Sequence, residues 1–151
     1  MQRGYCGIGI YGNKYQVNLG TLWRSAHAFG AVCLFAIGPR CPQGEQRQAS
    51  DTTNARRHIP YSIYPDMETF LATRPYSAQI VAIEQTPGSY ALETYLHPQC
   101  ALYLLGAEDT GLPLAVLARC DTIVSITTPV CLNVATAGSI VLYDRVLKQR
   151  K

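Results

Sequence analysis

The chain has 151 residues, enough for about one domain with a buried core. Hydrophobic residues make up 48% and charged residues 15%, which excludes a disordered chain and a coiled coil. The formal net charge of +3 conceals a division: residues 1–60 carry seven basic and two acidic side chains, 61–144 carry two and eight, and 145–151 carry four basic and no acidic ones.

Ten of the 13 basic residues are Arg, whose planar fork suits phosphate and therefore a nucleic-acid partner. No apolar run approaches the ~20 residues of a membrane span. The opening Met1-Gln2-Arg3-Gly4-Tyr5-Cys6 has neither the long apolar block nor the cleavage site of a secretory signal, so a cytoplasmic protein away from membranes is expected. The six cysteines contain no Cys-x-x-Cys and the three histidines are scattered, so neither a metal site nor a disulfide framework is expected.

Tyr5–Tyr11 reads as a strand and residues 12–17 as a polar loop. Asn18 is expected to cap a helix running to about Phe29, with Gly30 as its stop. Leu19, Leu22, Trp23, Ala26 and Phe29 recur at helical spacing and make one buried stripe, while Gly20, Arg24 and His27 fall on the other side. Residues 31–37 are a continuous apolar run, hence a buried strand.

Residues 38–58, with Arg40, Arg47, Arg56 and Arg57, are too polar for core and read as a loop with a short helical piece near 52–56. Tyr61–Tyr64 is a strand, and Asp66 caps a short helix to about Ala72. Residues 79–84 form the next strand, followed by a turn at Thr86-Pro87-Gly88-Ser89. A strand at 101–105 leads into a glycine loop and a short helix from Pro113. Residues 121–126 make the last strand, and the last helix runs from near Asn133 to about Lys148.

Strands alternating with helices predict an α/β fold, a mostly parallel sheet with helices on both faces. The last helix is apolar nearly all round over 134–143, so something beyond the sheet is expected to cover it, most simply a second subunit.

Ligands of such sheets bind beyond the carboxyl ends of the strands, and three loops there carry unusual residues. They are Asn18 to Arg24, Leu105 to Pro113 with two glycines flanking Glu108, and Pro129 to Gly138 with Asn133 opening an apolar helix. Each has a bland structural reading as a cap, a tight turn or a helix contact. Residue type and spacing alone give a small ligand-binding α/β domain and stop there.

Taken together, the loops resemble the SPOUT superfamily, and within it the SpoU or TrmH-type RNA 2′-O-ribose methyltransferases. Motif one of that family, Asn-x-Gly-x-x-x-Arg-x-Ala-x-x-x-Gly, is matched by Asn18, Gly20, Arg24, Ala26 and Gly30. Motif two, Leu-Gly-x-Glu-x-x-Gly-Leu, is matched by Leu105, Gly106, Glu108, Gly111 and Leu112. Motif three, Ser-Leu-Asn-Val-x-x-Ala ending in Leu-Tyr, is matched by Leu132, Asn133, Val134 and Ala137, then Leu142 and Tyr143.

Two positions depart from the pattern: Cys131 stands where motif three has Ser, and Gln16 where a Pro often precedes motif one. A thiol is a weaker hydrogen-bonding group than a hydroxyl, so the part that Ser plays is weakened here.

The resemblance implies a single domain over residues 1–151 with a C-terminal deep trefoil knot, a homodimer, and S-adenosylmethionine as methyl donor. It implies a donor pocket formed by Leu105, Gly106, Glu108 and Gly111 of motif two, Ile126, and Cys131, Leu132 and Ala137 of motif three. It implies Arg24 as the catalytic residue, oriented by Asn18 and Glu108 and reaching the partner's donor, with Asn133 orienting ribose or donor. RNA is the implied partner, with Arg24, Arg40, Arg47, Arg56, Arg57 and Lys148 as its contacts. The chain lacks the N-terminal extension with which larger members grip ribosomal RNA, so transfer RNA is expected, with ribosomal RNA or a catalytically inactive RNA- or cofactor-binding protein as the alternatives.

Overall fold

In the computed structural model, which describes residues 4–12, 16–39 and 54–150, seven strands form one sheet in the order β3-β2-β1-β6-β4-β7-β5. The strands are β1 (Tyr5–Tyr11), β2 (Cys33–Ile37), β3 (Tyr61–Tyr64), β4 (Gln79–Ile83), β5 (Tyr90–Ala91), β6 (Cys100–Gly106) and β7 (Thr122–Ser125). Every neighbouring pair is parallel. The helices are α1 (Gln16–Ala28), α2 (Met67–Thr73), α3 (Leu114–Leu117) and α4 (Val134–Gln149), with single 3-10 turns at Ala55–Arg57 and Leu92–Thr94. Arg40, Arg47 and the start of the expected helical piece near residue 52 lie outside the described residues.

Alternation along the strands divides the core into two. Cys6, Ile8, Ile10, Leu34, Val81, Tyr103 and Leu105 face α1 and α4. Phe35, Ile37, Ile80, Ala82, Leu102 and Leu104 face α2 and α3. The expected stripe of α1 is buried, with Leu19, Leu22, Trp23 and Ala26 at 3% exposure or less, and burying each large apolar side chain contributes roughly 1.5–3 kcal/mol. Asp66 caps α2 by accepting from the Thr69 N–H at 2.7 Å, and the Gly30 N–H bonds back to His27 to end α1. Gly138 lets α4 approach closely: a Cβ there would stand 2.5 Å from Leu22 Cδ1 and 2.9 Å from Leu105 Cδ1.

Three details differ from the sequence expectation. Helix α1 starts at Gln16, so Asn18 lies within its first turn and is not its cap. Gly20 is buried, whereas Arg24 and His27 are exposed as expected. The two-residue strand β5 is too short to leave a periodic signal and was not expected.

A polar network holds residues 92–99 against α4. Arg145, only 3% exposed, donates to the carbonyls of Pro98 (2.7 Å), Gln99 (2.6 Å) and Tyr5 (3.3 Å) and to the Tyr103 hydroxyl (3.2 Å). His97 bonds Tyr103 through Nδ1 at 2.6 Å and Asp144 through Nε2 at 2.8 Å. Burial, with the nearby Lys148 and Arg145 cations, lowers the pKa of His97 against the pull of the Asp144 carboxylate, so we read the ring as neutral. The carboxylate can only accept, so Nε2 carries the proton and Nδ1 accepts from the Tyr103 hydroxyl.

Lys148 Nζ bonds the carbonyls of Leu92 (2.5 Å) and Tyr95 (3.1 Å) and the Asp144 carboxylate (2.7 Å). Lys148, expected as an RNA contact, thus has its ammonium engaged within the fold. No helix among the described residues is long and apolar enough to cross a membrane.

Candidate functional site

Strands β4, β6 and β7 lie side by side, and their carboxyl ends open into a cleft of about 190 Å³. Its floor is Ile83, Leu105 and Gly106 at the strand ends. One wall is the turn from Ala107 to Gly111, closed by the Gly111 N–H on the Ala107 carbonyl at 2.8 Å. The opposite wall is Ile126, Thr128, Cys131 and Leu132, and the start of α4 adds Val134 and Ala137. Gly111 sits at φ +63°, where a side chain would be strained and would also meet the Glu84 carboxylate at 2.8 Å.

Asn133 joins the three loops. It caps α4, its Oδ1 accepting from the N–H groups of Ala135 (3.0 Å) and Thr136 (3.1 Å). That fixes the amide's orientation, so Nδ2 faces the other way. There it donates to Asn18 Oδ1 at 2.9 Å and to Glu108 Oε1. Both donors and both acceptor positions of the amide are thus engaged. Asn18 is buried at 5% exposure, while Glu108 is exposed at the rim.

All eight residues expected to form a donor pocket (Leu105, Gly106, Glu108, Gly111, Ile126, Cys131, Leu132 and Ala137) line this one cleft. Asn18, Glu108 and Asn133 also come together. Arg24 does not join them within the chain. It is exposed on α1, six residues beyond Asn18, which is about 9 Å along the axis and roughly 120° round it. Within a single chain Asn18 Oδ1 and Glu108 Oε1 meet Asn133, and their expected part in orienting Arg24, which would reach a partner subunit's donor, is a matter for the dimer. The side-chain amide of Asn133 is engaged within the chain on every side.

Arg57 is exposed and Arg56 half-buried on the 3-10 turn beside α1. The rings of His27 and His58 stack there at 4.6 Å and 9°. Sequence reasoning missed Ile83, Glu84, Gln85, Ala107, Thr128 and Val134 of the cleft lining, of which Glu84 and Gln85 follow β4 and belong to no motif. Among the described residues no group of three or more His, Cys, Asp or Glu is placed to hold a metal ion.

Comparison with known proteins gives one matching family model, the SpoU rRNA Methylase family, over residues 8–143. The chain is 28% identical over 138 residues to the mouse tRNA (guanosine(18)-2′-O)-methyltransferase TARBP1. That stretch is 87% of this chain and 9% of the mouse protein, so the chain spans a small part of that relative. Among solved structures, the SpoU methyltransferase AviRb from Streptomyces viridochromogenes, in complex with AdoMet, superposes with a TM-score of 0.86 at 23% identity, covering 100% of this chain and 60% of that one. A structure described by the words "Structural insights into the 2-OH methylation of C/U34 on tRNA" superposes with a TM-score of 0.81 at 23% identity, covering 99% of both chains.

Proposed function

The chain belongs to the SpoU rRNA methylase family, and from that premise we propose that it is an S-adenosylmethionine-dependent enzyme that methylates a ribose 2′-hydroxyl of RNA, with transfer RNA as its substrate. The observation that carries this reading is the Asn133 amide, which draws all three motif loops onto one cleft at the strand ends. The choice of transfer RNA rests on the transfer-RNA activity in the mouse relative's name and on the full mutual coverage with the C/U34 structure.

The cleft suits the donor. Ile83, Leu105, Ile126 and Leu132 offer apolar walls to a nucleoside, and the carboxylates of Glu84 and Glu108 favour a cationic ligand. When bound, the donor supplies an electrophilic methyl group carried on a sulfonium. The chain's own contribution is positioning, which is worth roughly 7–11 kcal/mol when the reacting groups are well aligned. Apolar walls do not oppose the transfer, because charge is dispersed as the cation is neutralised.

Arg24 holds the RNA phosphate beside the reacting ribose and stabilises the alkoxide that develops there, acting in the cleft of a partner subunit. Guanidinium stays protonated in proteins, so water takes the hydroxyl proton. Arg57 and Arg56 add phosphate contacts on this reading, and Arg40 and Arg47 are further RNA contacts by residue type.

The same reading makes residues 1–151 one SPOUT domain, places it in the cytoplasm, and threads its C-terminal segment into a deep trefoil knot. A homodimer would cover the apolar strip that Ile140, Tyr143 and Leu147 of α4 leave exposed. Homodimerisation also brings Arg24 of one protomer to the cleft of the other.

The test is transfer of a labelled methyl group from S-adenosylmethionine to bulk transfer RNA, followed by nucleoside analysis. A 2′-O-methylated nucleoside, resistant to alkaline cleavage at its linkage, is expected. A methylated base, or label only on ribosomal RNA, contradicts the proposal. A second reading, an inactive binder, is motivated by Cys131, whose thiol stands exposed in the cleft wall where the family motif has Ser. Under that reading the wild type is silent and Cys131→Ser gains activity.

A further inference from the structure

Glu84 and Gln85 are consecutive, belong to none of the three motifs, and reach opposite walls of the cleft. Backbone pairing of β4 with β7 continues one residue past the strand, the Glu84 N–H bonding the Val124 carbonyl at 3.0 Å. The next side chains then diverge, as successive side chains in extended backbone do. The Glu84 carboxylate accepts from the Leu112 N–H through Oε2 at 2.9 Å and from the Gln85 N–H through Oε1 at 3.0 Å. It thereby ties the motif-two turn to β4 across 28 residues of sequence.

The Gln85 amide points to the other wall. Its Nε2 donates to the Ile126 carbonyl at 2.8 Å, with longer approaches to the Thr128 carbonyl (3.4 Å) and Thr128 Oγ1 (3.3 Å). This ties down the segment that leads into motif three. Both side chains also line the cleft.

Both anchors follow directly on β4, one bonded to each wall. Backbone at positions 106–108 faces backbone at 126–132 across the cleft, and β4 is their common reference. Position 111 favours glycine for its φ of +63°, and a Cβ there would also press on the Glu84 carboxylate at 2.8 Å.

We propose that Glu84 and Gln85 are positioning residues for the methyl donor, setting the width of the nucleoside cleft by pinning one wall each. The inference rests on the assignment of this cleft to the donor. It predicts that the pair governs donor affinity and leaves the RNA step alone.

The experiment is calorimetry with S-adenosylhomocysteine on wild type, Glu84→Gln, Glu84→Ala and Gln85→Glu, with amide hydrogen exchange on the ligand-free proteins. Glu84→Gln keeps one acceptor and should weaken binding less than Glu84→Ala, for which a loss of about tenfold or more is expected from removing a charge-assisted hydrogen bond. Gln85→Glu turns a donor into an acceptor facing two carbonyls and should weaken binding at least as much. Exchange should accelerate at 106–112 in the Glu84 variants and at 126–132 in Gln85→Glu, each without the other. In steady-state assays KM for the donor should rise, while KM for RNA and kcat hold.

Ser89→Ala, which removes a hydroxyl bond to the Thr86 carbonyl in the turn beyond the cleft, should match wild type throughout. If Glu84→Ala fails to fold, Glu84→Gln and Gln85→Glu decide the matter. Affinities within twofold of wild type in the folded variants, or a fall in kcat at unchanged donor KM, overturn the inference and leave the proposed function standing. A wild type that does not bind S-adenosylhomocysteine overturns the proposed function and this inference together.

Discussion

Replacing Asn133 with Asp tests the junction of the three loops with almost no change of shape. The Oδ1 that caps α4 is retained, and a negative charge at a helix N-terminus is favourable by roughly 0.3–1 kcal/mol. The other end of the side chain is reversed. The donor that meets Asn18 Oδ1 at 2.9 Å and the Glu108 carboxylate becomes an acceptor facing two acceptors.

The bond to buried Asn18 is worth about 1 kcal/mol, and leaving its oxygen unsatisfied adds about 1–3 kcal/mol. The bond to Glu108 belongs to an exposed group, so its loss and the new like-charge repulsion are screened and together count for about 1 kcal/mol or less. Set against the cap gain, Asn133→Asp should cost about 1–5 kcal/mol at pH 8, a fall in Tm of roughly 2–20 °C for a chain of this size.

The pH dependence gives the sign. The new carboxylate lies beside Glu108, so its folded pKa is raised above its unfolded value of about 4. As pH falls towards that raised pKa the folded state takes up a proton first and one donor is restored. The deficit relative to wild type should therefore shrink between pH 8 and pH 5. Urea denaturation at the two pH values reads it directly. Equal stability at pH 8, or a deficit independent of pH, would refute the role given to this amide.

Arg24→Ala should abolish methyl transfer while S-adenosylhomocysteine still binds in calorimetry; full activity would remove Arg24 from the mechanism. Gly138→Ala should destabilise by about 1–3 kcal/mol, because its methyl group overpacks the contact of α4 with Leu22 and Leu105, and thermal melts that match wild type would contradict that packing. His97 has a depressed pKa, so its contribution to stability is present above about pH 6.5 and is lost as pH falls and the unfolded chain binds the proton alone. His97→Gln should flatten the loss of stability between pH 7 and pH 5 by up to about 1.4 kcal/mol per pH unit; identical slopes in denaturant titrations would mean that the fold does not depress the pKa of the ring.

Short-range patterns carried most of the fold. The α1 stripe, the Asp66 cap, the Asn133 cap and the apolar strands are features of neighbouring residues, and all were legible. The cleft was legible only through the family resemblance, which implied that Leu105, Gly106, Ile126 and Leu132 line one pocket, whereas residue type and spacing alone stopped at a ligand-binding α/β domain. Contacts between distant residues were not legible. Asn18 resembles a cap, but its oxygen is taken by Asn133, 115 positions away. Lys148 resembles a solvated tail cation, but it folds back onto carbonyls 53 and 56 positions earlier. Glu84 and Gln85 look like ordinary polar residues at a strand end, and only the register of β4 between β6 and β7 shows what they hold.

The most direct test of the account is a crystal structure of the protein grown with S-adenosylhomocysteine. The account predicts the nucleoside lodged between the 106–108 turn and the 126–132 segment, with its sulfur directed to the open side where RNA would enter. Ligand density at any other place, or an empty cleft in crystals grown at saturating ligand, would contradict it.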